Sequence, residues 1–231
     1  MNRRPTPQGF TRKELFVALA VVAVGLIFCL VNYFVVTSSG IRPRVKTNSA
    51  ATRARSIHTI LTTWAQDHNQ EYPTARQFSN EAFRELFKAG LIVDGSGEEI
   101  FAIPGDAWHN NSPAGKGPDG IIGPAPNFPL ALTRGECAWA YVSGLDTASN
   151  GSLPLLANGF TESLGVYTAD KFRKGGVFQG TKIVWVTVAG SAKSYDLSGD
   201  FRLLEKKGGK AMDVFSKEWG TNPDDIKNPE G

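Results

Sequence analysis

Ala54-Arg55-Ser56-Ile57-His58-Thr59-Ile60-Leu61-Thr62-Thr63-Trp64-Ala65 places its apolar side chains, Ala54, Ile57, Ile60, Leu61, Trp64 and Ala65, at three- and four-residue intervals. That period puts them on one stripe of an α-helix, and such a stripe needs a surface to bury it. A matching surface lies downstream. In Lys182-Ile183-Val184-Trp185-Val186-Thr187-Val188, residues 183, 185 and 187 alternate with three valines, so both faces of a strand here are largely apolar. A strand of this kind is covered on both sides, and the helix is expected over one of them. The fold class that follows is α+β, a helix packed on an antiparallel sheet.

Working outward, the helix is expected from about Ser49 to His68, ended by Pro73. A shorter helix is expected from about Asn80 to Lys88, capped by Ser79 or Asn80, with Phe83, Leu86 and Phe87 inward and Gly90 as its stop. Strand candidates are Ile100–Ile103, Ala138–Leu145, Leu153–Ala157, Lys182–Val188 and Ala192–Leu197, the last two joined as a hairpin through Ala189-Gly190-Ser191. Gly and Pro crowd Pro104–Pro129, which reads as a long loop. The polar tail from Gly220 to Gly231 reads as frayed.

Upstream, Leu15 to Val36 is apolar except for Asn32. As a helix this run is about 33 Å long, the thickness of a bilayer's hydrocarbon core. It is longer than the apolar stretch of a cleaved secretory signal, although Val36-Thr37-Ser38 offers a weak cleavage site. Gly40 and Pro43 interrupt the helical pattern just beyond it, where a kink or short linker is expected. The basic residues Arg3, Arg4, Arg12 and Lys13 precede the apolar run, and Arg42, Arg44, Lys46, Arg53 and Arg55 follow it. This distribution suits anionic lipid headgroups, and a net charge of +3 is too small to argue for nucleic acid. Cys29 lies in the apolar run and Cys137 far from it, so no disulfide framework is expected.

Gly9-Phe10-Thr11-Arg12-Lys13-Glu14-Leu15 runs straight into that apolar segment, and it resembles the processing motif of type IV prepilins and type II secretion pseudopilins. The resemblance extends to Ala54–Pro73, Asn80–Phe87 and Trp139–Leu145, which are similar to prepilin-like proteins of planctomycetes and verrucomicrobia. It implies that a prepilin peptidase cuts between Gly9 and Phe10, that Phe10 becomes a methylated N-terminus, and that Glu14 offsets the ammonium of a neighbouring subunit during assembly. It also implies a pilin-like architecture whose long N-terminal helix is transmembrane at its start. The expected organisation is a leader at 1–9, an anchor at 10–36, a helical stalk at 37–70 and a globular head at 71–231. The protein would be a single-pass protein of the bacterial cell membrane, its head extracytoplasmic. Where the family carries apolar residues, this chain has Arg12 and Lys13.

Catalytic motifs are missing from the sequence: there is no G-x-S-x-G, P-loop, HExxH or complete dinucleotide fingerprint. No enzyme activity and no cofactor are expected. His58, His68 and His109 have no metal-ligand spacing. Asp67-His68 with Glu71 reads as a polar helix end. Asp94, Ser96 and Glu98 place oxygens at alternate positions, as a weak calcium site or a solvated turn would. Trp108, Trp139, Tyr141, Trp185 and Trp219 read mainly as packing residues. The functional expectation is a structural subunit whose partners are prepilin peptidase, other pilin or pseudopilin subunits and membrane lipid. A membrane-tethered module binding an envelope glycan or a partner protein is the second reading.

Overall fold

The computed structural model of the chain describes Leu26 and residues 46–111 and 117–230. The leader, the apolar segment, Gly9, Phe10, Glu14, Cys29 and the Gly40/Pro43 break lie outside the described residues. Among the described residues no helix is long and apolar enough to cross a membrane. Val45–Gly231 forms one compact unit, and it is α+β.

Helix α1 covers residues 46–66. Its stripe is buried as the period demands: Ala54, Ile57, Leu61 and Ala65 are fully inaccessible, with Ile60 and Trp64 packed beside them. Burying each large aliphatic side chain contributes about 1.5–3 kcal/mol. The opposite face carries Thr52, Ser56, Thr59 and Thr63, each donating its hydroxyl to a carbonyl four residues back. α1 stops well before Pro73. The chain turns out at Asn69 and Gln70, both at positive φ, and Gln70 N–H donates to the Ala65 carbonyl. Asn tolerates that left-handed geometry, so the stop belongs to the turn and not to the proline. Pro73 instead anchors a side chain of the sheet, since its carbonyl accepts the buried Tyr141 hydroxyl at 2.7 Å.

Helix α2 spans Ser79–Lys88, with Phe83, Leu86 and Phe87 inward as expected and Gly90 at φ +72° behind it. Its cap differs from expectation. Neither Ser79 nor Asn80 closes the N-terminus, because both side chains are used on other segments: Ser79 donates to the Trp139 carbonyl and Asn80 to the Leu132 carbonyl. The N-terminus carries no side-chain cap; Ser79 N–H donates to the Asn228 carbonyl, and the Glu81 carboxylate accepts the Arg76 and Gln77 N–H groups of the preceding loop. Ile100–Ile103 is not a strand. Gly95–Phe101 forms a 3-10 helix, capped by the Asp94 side chain on Gly97 N–H, and a short helix α3 follows at Ala107–Asn111.

Five antiparallel strands make the main sheet: β1 (Trp139–Val142), β2 (Pro154–Asn158), β3 (Lys182–Thr187), β4 (Ala192–Asp196) and, after a hairpin, β7 (Ile226–Lys227). Their spatial order is β4-β3-β2-β1-β7. Val184, Val186 and Val188 join the core that contains α1 and α2, whereas Ile183 and Trp185 join a second core on the other face with Phe160, Tyr167, Leu203, Val214 and Phe215. The two-sided reading of the strand at 182–188 is therefore correct. In β2 a register shift between Pro154 and Leu156 sends both Leu155 and Leu156 into the α1 core, as a bulge does.

Two features escape the hydrophobic pattern. β5 (Leu204–Lys207) and β6 (Lys210–Asp213) form a separate hairpin, turned by Gly208 and Gly209 at φ +60° and +83°. Paired positive φ values suit a tight hairpin turn, and glycine adopts them freely. The tail is not frayed. β7 pairs with β1, Asn228 exchanges bonds with the Phe160 backbone, and Glu230 N–H donates to the Asn80 side chain at 2.9 Å. These are backbone and amide contacts, so the polar composition of the tail does not reveal them.

Candidate functional site

The 3-10 helix has three residues per turn, so residues three apart share a face. Glu98 and Phe101 are such a pair and both are fully buried, while Ser96 stays at the surface beside Asp94. The Glu98 carboxylate reaches two loops, accepting Leu132 N–H at 2.7 Å and Gly120 N–H at 3.1 Å. Gly95 makes this approach possible, since a Cβ there would sit 1.7 Å from the Gly120 carbonyl oxygen.

Glu136 arrives from the turn before β1 and is only 3% exposed. One of its oxygens accepts both the Thr133 N–H and the Thr133 hydroxyl, and the other accepts Asp119 N–H at 3.3 Å. Asp119 is exposed, and its carboxylate accepts Ile121 N–H at 2.7 Å. Carboxylate oxygens of Glu98, Asp119 and Glu136 lie within 4.8 Å of one another. Among the described residues this is the only such convergence of three ligand-type side chains.

Burial raises the Glu98 pKa, opposed by its two backbone donors and aided by the Asp119 charge. It raises the Glu136 pKa too, with Glu98 and Asp119 adding repulsion. Such an arrangement has two chemical outlets: it can retain a proton, or it can take a hard, oxygen-seeking divalent cation. Three carboxylates provide oxygens for part of a calcium shell, which takes about 6–8. Irrespective of either, Glu98 fastens Gly120 and Leu132 to the 3-10 helix, and Glu136 ties Asp119 and Thr133 to the turn before β1.

The calcium candidate Asp94, Ser96 and Glu98 is not one site. Asp94 receives the Ser96 hydroxyl and Gly97 N–H, which holds its pKa below the usual carboxylate range, and Glu98 points into the protein. Only Glu98 belongs to the cluster. Asp119 and Glu136 were not legible as its partners, because they are far apart in sequence on irregular segments.

The other polar candidates have structural roles. His58 Nε2 meets the Val188 carbonyl at 2.9 Å, fastening the β3–β4 turn to α1. His68 stacks on Trp64 with ring centroids 3.5 Å apart and bonds its carbonyl, at the helix end expected for it. Trp139, Tyr141, Trp185 and Trp219 are packing residues, and Trp108 is half-buried beside Lys174. Cys137 is a buried free thiol whose pKa burial pushes up to about 12, which makes it inert.

His109 is 2% exposed and neither ring nitrogen has a hydrogen-bond partner. Burial pulls its pKa down to about 4, although the nearby Glu136 carbonyl favours the cation. Three residues earlier, burial pushes Asp106 up to about 6, against the pull of the His109 and Trp108 N–H groups and of Lys46. Comparison with protein-family models, curated proteins and solved structures finds no match to this chain.

Proposed function

We propose that this chain is a structural subunit of the prepilin kind, cut after Gly9 and assembled through its N-terminal helix into a type IV pilus or type II secretion pseudopilus. The observation that carries the proposal is the stretch Gly9-Phe10 followed by Glu14 and the apolar run from Leu15. The described fold is compatible with it. α1 follows the apolar segment in sequence, buries one stripe on an antiparallel sheet and leaves open a face that carries hydroxyl groups and Arg55. In this reading the head is pilin-like and lies outside the cytoplasmic membrane. The subunit works by assembly, without catalysis.

The chemistry at Glu14 sets the test. A carboxylate at the membrane edge pairs with the Phe10 ammonium of the next subunit, and stranding one partner of a buried pair costs about 3–5 kcal/mol. Mass spectrometry of the protein from native membranes should show a mature chain starting at Phe10. An intact Met1 would refute the processing. Glu14→Ala should leave cleavage unchanged but remove the crosslinked ladder formed through a cysteine placed beside the anchor.

Arg12 and Lys13 favour a second reading, a membrane-tethered binding module exported by the same route. Two cations beside Glu14 compete with the incoming ammonium and reduce the intersubunit contribution to below about 1 kcal/mol. Absence of a ladder in both wild type and Glu14→Ala selects this module over the filament.

A further inference from the structure

The basic residues that follow the apolar segment do not share one fate. Lys46 donates to the Gly105 carbonyl, and Arg53 donates to the Glu99 and Ala102 carbonyls while facing the Glu99 carboxylate. Both are committed to holding loops against α1. Arg55 is different. One of its nitrogens donates to the Ala192 carbonyl at 2.6 Å, at the outer edge of β4, and the rest of its guanidinium faces a groove.

The groove runs between α1 and β4, has a volume of about 540 Å³, and is lined by Asn48, Thr52, Arg55, Lys193 and Ser194 among others. That size is in the range of small-ligand sites. Its charged lining residues are Arg55 and Lys193, with no carboxylate between them. The nearest acid along β4 is Asp196, which is paired with Lys182. Lys193 leaves the strand on the far face, opposite Trp185, and borders the groove at the open edge.

The strand itself adds a donor. Thr187 N–H bonds the Ser191 carbonyl and Leu197 N–H bonds the Thr181 carbonyl, so the odd-numbered residues of β4 face β3. Ser194 therefore turns its N–H away from the sheet, and it meets no acceptor among the described residues. An edge N–H and a guanidinium, with neutral hydroxyl and amide groups beside them, line one concave surface whose charged residues, Arg55 and Lys193, are both cations. A lining whose charged groups are both cations, with no carboxylate and an outward N–H beside them, fits a tetrahedral oxyanion.

We propose that the groove between α1 and β4 is a phosphate-oxyanion site, held by Arg55, Lys193 and the Ser194 N–H. It does not depend on cleavage at Gly9. Hydrogen exchange of the 191–197 segment, followed by mass spectrometry on the full chain in uncharged detergent micelles, reads it directly. Inorganic phosphate should slow exchange at Ser194 several-fold, and Arg55→Gln or Lys193→Gln should raise the phosphate concentration needed for half of that slowing about tenfold. Lys193→Gln leaves the α1–β4 bond of Arg55 untouched, so it tests the site without loosening the edge. A second arm compares nanodiscs of phosphatidylcholine alone with nanodiscs containing phosphatidylglycerol. Slowing by phosphate identifies a free oxyanion as ligand, and slowing by phosphatidylglycerol alone identifies a lipid headgroup. No slowing in either arm overturns the proposal, as does equal slowing by chloride at matched ionic strength or full retention of the effect in both variants.

Discussion

Asp106 and His109 flank the start of α3 and titrate in opposite senses, so replacing either should expose a pH dependence that wild type conceals. Asp106 has a folded pKa of about 6 against an ordinary value of 3.8. Between those values the folded state holds the extra proton, so this group's contribution to stability is greatest in acid and is lost as pH rises towards 6. His109 has a folded pKa of about 4 against 6.5. Here the unfolded state holds the extra proton, and stability present above 6.5 is lost as pH falls towards 4. At about 1.36 kcal/mol per unit, each effect reaches about 2–3 kcal/mol at pH 4, and the two nearly cancel. In Asp106→Asn the histidine acts alone, so the variant should lose about 2–3 kcal/mol relative to wild type between pH 7 and pH 4. In His109→Gln the sign reverses and the variant gains by a similar amount. Denaturant unfolding of the full chain in uncharged micelles, followed by tryptophan fluorescence at several pH values, measures both. Parallel profiles for wild type and both variants would refute the reasoning, since buried groups with these shifts cannot be thermodynamically silent.

Two further predictions concern packing. Gly95→Ala should destabilise the head by about 1–3 kcal/mol, because its Cβ would meet the Gly120 carbonyl oxygen at 1.7 Å and push apart the loops that Glu98 joins; a wild-type denaturation midpoint would contradict this. Leu61→Ala should cost about 2–5 kcal/mol, since Leu61 is wholly inaccessible between α1 and the sheet, and loss of far less than that would mean the core collapses around the gap.

Periodic burial was legible from the chain alone. The α1 stripe at Ala54, Ile57, Leu61 and Ala65, the α2 residues Phe83, Leu86 and Phe87, and the two-faced strand at 182–188 all follow from spacing. Spacing is a local property, and a buried stripe must repeat it. The prepilin reading of Gly9–Glu14 also comes from adjacent residues, and it stands as a proposal. Tertiary structure alone decided the rest. Glu98 lay in a stretch that reads as a solvated turn, but a 3-10 turn rotates it inward beside Phe101, where loops distant in sequence bring Asp119 and Glu136. The tail reads as polar and loose, yet β1 has an open edge that only backbone groups can close, and Ile226–Lys227 closes it. The same holds for Arg55. Its sequence neighbours Lys46 and Arg53 are equally basic, and what separates them is which carbonyls the folded chain places within reach. Hydrogen bonds and charge pairs form between groups that meet in space, and no periodicity records which groups those are.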